Sequence, residues 1–266
     1  MTHRKNNLEY NNLMRLFGRW KLAIKILPLV ILAVGLKIIV HSLNIEVISL
    51  SPLFSGVVGA TVFLLGFMIA GTLSDYKESE RLPSDLAASL YSIADECSMI
   101  TTKKGKQASS DCLKALDIFT SSLLSWLITR KNVDKVFANI EQLDSAFSSL
   151  EPHIQAIFLN RIKTEQNQVR RIVFRMRTIR ETSFIKTGYA IAEISTFLLI
   201  AALIFTKDQP YFESLFFVGY ITFILTYLIA LITDLDNPFS YGQSSGIDEV
   251  SLRPLKQFLQ RVKSVS

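Results

Sequence analysis

Residues that usually carry chemistry are scarce. The chain holds three histidines (His3, His41, His153) and two cysteines (Cys97, Cys112), and the histidines are scattered. No His-Glu-x-x-His, Gly-x-Ser-x-Gly, Gly-x-Gly-x-x-Gly or phosphate-loop pattern occurs, so nothing points to an enzyme. Two cysteines with no histidine beside them make no zinc site. Both fall in a polar stretch expected to face the reducing side of a membrane, where they read as two separate packing thiols. His153, after Pro152, reads as a surface residue. Internal repeats and strand-like alternation are missing. The opening MTHRKNNLEYNN lacks the early apolar run and small-residue cleavage site of a signal peptide.

Apolar residues are abundant: they make up 49% of the chain, with a mean hydropathy of +0.31. They concentrate in two blocks, 22–74 and 187–233, on either side of a charged middle. This excludes an ordinary soluble globule, a disordered tail and a disulfide scaffold. The runs are continuous and not alternating, which argues against a transmembrane β-barrel. An all-α integral membrane protein with a water-exposed middle remains. The net charge is +6. Its excess sits at the flanks of the apolar blocks (Arg4, Lys5, Arg15, Arg19, Lys21 and Lys25 in the first 25 residues; Arg253, Lys256, Arg261 and Lys263 after the last block). That is the pattern of cytoplasmic flanks, not of a nucleic-acid surface.

Four spans are expected, in two hairpins. Residues 22–40 form the first, with Pro28 bending it and Lys25 and Lys37 snorkelling at its ends. Residues 41–54 carry no Lys or Arg and face outward. No charge lies between Glu46 and Asp75; Pro52 breaks that run, leaving 55–74 as the second span. Its Gly56, Gly59, Ala60, Gly66, Ala70 and Gly71 allow close helix approach, either within one pair or among copies of the chain. The third span is 187–206 and the fourth 214–233, joined by a short outward loop. The chain thus divides into an N-terminal hairpin (1–74), a cytoplasmic helical region (75–186), a second hairpin (187–233) and a cytoplasmic tail (234–266). Both termini lie inside, in a cell (plasma or inner) membrane.

The middle reads as three or four helices, with a loop at 101–110 and breaks at Arg130–Asn132 and Pro152. Its last helix, 153–186, carries Arg170, Arg171, Arg175, Arg177 and Arg180. These do not form one stripe, and a solvated or headgroup-facing surface is a better reading than an anion funnel. Glu193 lies inside the third span; it is either an intramembrane functional charge or an interfacial partner of Lys186 or Arg180.

Three stretches together resemble the bestrophin family of pentameric channels: RLFGRWKLAIKIL (15–27), FLLGFMIAGTLSDYKESERLP (63–83) and DLDNPF (234–239). The first is similar to the family's amphipathic entry and the second to its pore-helix signature. The third is similar to its Asn-Pro-Phe. Departures are visible. Asp75-Tyr76-Lys77 stands where the family has Arg-Trp-Trp, Ala60 stands near a family proline, and SYGQSSGIDEV replaces the acidic run that helps bind calcium.

The resemblance implies an oligomeric, pentameric channel for chloride or other small anions. On a helical wheel Gly59, Phe63, Phe67, Ala70 and Ser74 share one drifting stripe. Around an axis that stripe lines a pore, with Phe63 and Phe67 as a neck that gates by dewetting. The plainer reading of both rings is lipid or interhelical packing. Asp234, Asp236 and Asn237 stand at a helix C-terminus. They read as caps ahead of a weak cation site, because calcium needs six to eight oxygens, and calcium dependence is therefore doubtful. The alternative function is a non-conducting membrane scaffold that docks a soluble partner on the helical middle. A transporter ranks third, since no inverted repeat is visible.

Overall fold

The computed structural model describes residues 2–49, 51–100, 105–182, 186–207, 210–241 and 249–265, with side chains from Trp20 onward. Eight α-helices occur among them: α1 (Thr2–Ser42), α2 (Pro52–Ser98), α3 (Gly105–Thr129), α4 (Val133–Ser148), α5 (Ala156–Glu181), α6 (Lys186–Ile204), α7 (Tyr211–Leu235) and α8 (Arg253–Val265), with a short 3-10 helix at Glu151–His153. A two-residue parallel pair, β1 (Ile48–Ser49) with β2 (Thr206–Lys207), is the one departure from an all-α chain among the described residues. The chain folds as two units, 1–74 with 183–236, and 75–182 with 237–266.

Several expected boundaries move. The first span is part of one 41-residue helix that runs through Pro28. Pro52 starts α2: it takes the first helical position, where its missing N–H costs nothing, and the Ser51 hydroxyl accepts from Phe54 N–H at 3.3 Å. The helix then continues unbroken through Ser74 and through Pro83. Residues 105–110, expected in a loop, are the first turns of α3, while 101–104 lie outside the described residues. Helix α5 stops at Glu181, and Lys186 opens the next helix.

In the first unit α1, α6 and α7 pack together with the start of α2 around Ala33, Leu65, Met68, Leu199, Val218 and Leu225. Helices α1 and α7 meet closely at Gly219, where an added Cβ would come within 3.3 Å of Val34 Cγ2. The β-pair ties the ends of α1 and α6 together: Val47 and Ile48 N–H both donate to Phe205 O at 3.1 Å.

The second unit is a helical bundle built on Leu86, Leu90, Ile93, Phe119, Leu123, Phe147 and Val173, each fully buried. Helix α8 was not foreseen in the tail. Leu255, Phe258 and Val262 recur at helical spacing and are buried, and Phe258 meets Tyr91 edge-on at 5.0 Å. The break at 130–132 is a tight link in which Arg130 (φ 62°) and Asn132 (φ 64°) are both left-handed. Cys97 and Cys112 are joined in a disulfide, not separate thiols. Helix α2 carries one of the two buried sulfurs and α3 the other, a contact that compartment arguments do not reveal.

Five described helices are long and apolar enough to cross a membrane, one more than the four expected. The extra one is α3, half of whose most apolar window is buried inside the chain, against 17–28% for the other four. Its apolar residues feed the bundle core. The chain is a multi-pass integral membrane protein with a separate helical region.

Candidate functional site

Helix α2 presents the expected stripe on an open face. Phe63 is 77% exposed and Phe67 68%, and Gly59, Ala70 and Ser74 are exposed as well. A Cβ built on Gly56, Gly59 or Gly66 meets nothing within 4 Å. The opposite face carries the packing: Leu65 and Met68 are in the core, and the buried Thr61 and Thr72 hydroxyls donate to the carbonyls of Val57 and Met68, one turn back. The glycines therefore do not serve packing inside this chain. They leave a smooth, apolar, backbone-rich surface with two phenylalanine side chains standing from it. Apart from the Ser74 hydroxyl this stripe is apolar; it can exclude water or meet another apolar surface.

Glu193 does not join this set. It is exposed on α6 and lines a groove formed by α1, α6 and α7. No salt bridge to Glu193 or to Arg180 from it occurs among the described side chains, and the Lys186 side chain lies outside them.

Asp234 falls in the last turn of α7, and Asp236 caps it, its N–H donating to Ile232 O at 3.0 Å. Asn237 begins a turn closed by Ser240 N–H on its carbonyl at 3.2 Å. Among the described residues no group of three or more His, Cys, Asp or Glu could hold a metal ion. Of the stretch SYGQSSGIDEV (240–250), residues 242–248 lie outside the described residues.

The arginines of α5 stay partly exposed, as a solvated surface requires, and most of them also make hydrogen bonds or ion pairs within the second unit. Arg175 makes paired hydrogen bonds to Glu78, at 2.7 and 2.5 Å, and reaches Asp75 at 3.5 Å. The hydrogen bonds from Arg175 hold the Glu78 carboxyl below its ordinary value. Arg170 and Lys163 share Asp144. Arg177 bonds Glu181. Arg180 donates to Trp126 O at 2.7 Å and lies over the Trp126 ring at 4.9 Å. Burial, aided by nearby Arg130, pushes its guanidinium down to about 10.

One functional-looking cluster escaped the sequence. Lys37 does not snorkel; its side chain is fully buried. Its ammonium donates to Glu46 Oε1 at 2.8 Å and to the carbonyl of Thr206. His41 shares the same Glu46 oxygen at 3.1 Å and stacks on Tyr211, with centroids 4.0 Å apart. The bond from Lys37 is the main reason that the Glu46 carboxyl lies below its ordinary value. The available signal was a lysine and a glutamate on either side of a short charge-poor loop, which is not distinctive.

No family profile and no curated protein matches the sequence. Solved structures do. A single-site variant of a bacterial bestrophin homologue from Klebsiella pneumoniae is 16% identical, with 90% of this chain and 97% of that chain covered and a TM-score of 0.74. A second variant of that homologue is 14% identical over 91% and 98% of the two chains, with a TM-score of 0.77. A structure described only as a membrane protein is 15% identical over 90% and 98%, with the same TM-score of 0.77. At these identities the likeness establishes the fold: this chain has the bestrophin-like fold over nine-tenths of its length.

Proposed function

We propose that the chain is a subunit of a homo-oligomeric, pentameric channel that conducts chloride or other small anions, with α2 lining the axis. The observation that carries this reading is the open face of α2. Gly59, Phe63, Phe67, Ala70 and Ser74 find no partner surface within the chain, although the opposite face is packed. Copies of the chain around an axis supply that surface. Phe63 and Phe67, one turn apart, then form two stacked aromatic rings, a constriction that opens by wetting. Gly59 widens the passage one turn away from Phe63. The fold likeness supports the same arrangement. Anions are preferred on the net charge of +6, although the α5 arginines contribute less to that preference than their number suggests, because carboxylates and a carbonyl hold them.

In this reading the chain crosses a cell membrane four times, with both termini and residues 75–186 on the cytoplasmic side. Asp234, Asp236 and Asn237 act as structural caps ahead of a weak cation site. Purified protein in a planar bilayer under a KCl gradient tests the proposal. Discrete currents reversing near the chloride potential are expected, with Phe63→Ala raising conductance or open probability. Reversal near the potassium potential keeps the channel and reverses the selectivity. Silence with verified insertion favours the scaffold, whose departures at Asp75-Tyr76-Lys77 would then mark lost conduction.

A further inference from the structure

We infer that the groove between α1, α6 and α7 is a binding site for a phospholipid whose headgroup carries a primary ammonium, held by Glu193. The groove has a volume of about 590 Å³ and is lined almost wholly by apolar side chains. Along α1 it runs from Ile26 to Val40, and along α6 from Glu193 to Phe205. The two helices run in the same direction, since their far ends are tied by the β-pair. Glu193 therefore marks the Ile26 end and Phe205 the Val40 end. Fourteen residues of helix give a length of about 21 Å. One leaflet of a hydrocarbon core is about 15 Å deep. The groove thus suits one extended acyl chain with part of its glycerol.

Charge decides which lipid. Among the described residues that line the groove Glu193 alone is ionisable, and it sits at the end where a headgroup belongs. A carboxylate at membrane depth needs a cation or a hydrogen-bond donor. A primary ammonium supplies both, whereas a trimethylammonium has no N–H to give. Lys25, exposed and next to Ile26, offers the complementary charge for the phosphate. No residue of α2 lines the groove. The site does not depend on conduction: it would hold lipid in a silent scaffold as well.

Native mass spectrometry of the full-length protein, titrated with defined lipids, tests this. Phosphatidylethanolamine is expected to bind roughly tenfold more tightly than phosphatidylcholine or phosphatidylglycerol, about the worth of one charge-assisted hydrogen bond. Glu193→Gln should erase the preference while leaving the other two lipids unchanged. Ala201→Phe, which fills the groove, should reduce retention of phosphatidylethanolamine. Both variants are to be checked for an unchanged melting temperature and oligomer mass. Equal binding of the three lipids, or a preference that survives Glu193→Gln, overturns the inference. So does loss of oligomer mass in Ala201→Phe without loss of lipid, which would mean that a second copy of the chain covers the groove.

Discussion

Lys37 is the residue whose surroundings contradict its chemistry most sharply. A lysine in an apolar helix is ordinarily read as reaching for water. Here its ammonium is enclosed, and Glu46 and the Thr206 carbonyl replace water around it. Removing one partner of such a pair leaves the other charge poorly compensated. Lys37→Met is therefore expected to destabilise the first unit by about 2 kcal/mol, less than the ~3–5 kcal/mol of a fully buried pair, because Glu46 keeps some exposure. The double variant Lys37→Met with Glu46→Gln should recover much of the loss. Thermal unfolding of the four proteins in one detergent measures the coupling; simple additivity would mean that the clamp contributes nothing. The stripe on α2 is the opposite case. Gly59, Phe63, Phe67, Ala70 and Ser74 were legible from a wheel because helical period alone puts them on one face. Lys37–Glu46 was not, since it joins a helix, a loop and a strand through a contact that no local period encodes.

Helix α8 shows the same contrast among elements. Its apolar period was present in the sequence, but the tail's basic residues suggested a simple cytoplasmic flank. In the fold, Phe258 is fully buried and Arg261 reaches Asp95 at 2.7 Å. Phe258→Ala is expected to destabilise the second unit by about 3 kcal/mol. Chemical unfolding followed by near-UV dichroism would detect this, and an unchanged midpoint would mean that α8 docks too loosely to matter. The link from the lower half of α2 to α5 is electrostatic. Glu78, with Arg175 donating to it, has a carboxyl pKa lowered below the ordinary 4.5. Its contribution is fully present above that ordinary value and disappears as pH falls through the lowered one. Stability of the second unit should thus be flat through neutral pH and fall in acid. Glu78→Gln should shift the melting temperature at pH 7 but not at the acid end. An equal shift at both pH values would assign the effect to packing.

At the scale of the whole molecule, hydropathy located the long apolar helices well and helix ends poorly. The two apolar blocks correspond to α1, the first half of α2, α6 and α7. Where α2 stops was hidden because charge begins at Asp75 while the helix runs on to Ser98: hydropathy reports solvent, not backbone. The Cys97–Cys112 bond was hidden for a related reason, since residues 15 apart become neighbours only when two helices turn back on each other. What one chain leaves open is the partner of the α2 face, and the proposal is that this partner is the same face of other copies across a water path.

Single-channel recording of Phe67→Cys before and after a charged, water-soluble thiol reagent tests this most directly. The native cysteines are buried and bonded to each other, so wild-type protein under the same treatment is the control. If α2 lines the path, the reagent reaches residue 67 and changes the current stepwise as successive subunits are modified, while wild-type current holds. Steady current in Phe67→Cys, with mass spectrometry showing the cysteine unmodified under conditions that label an exposed loop position, would contradict the placement of α2 on the axis.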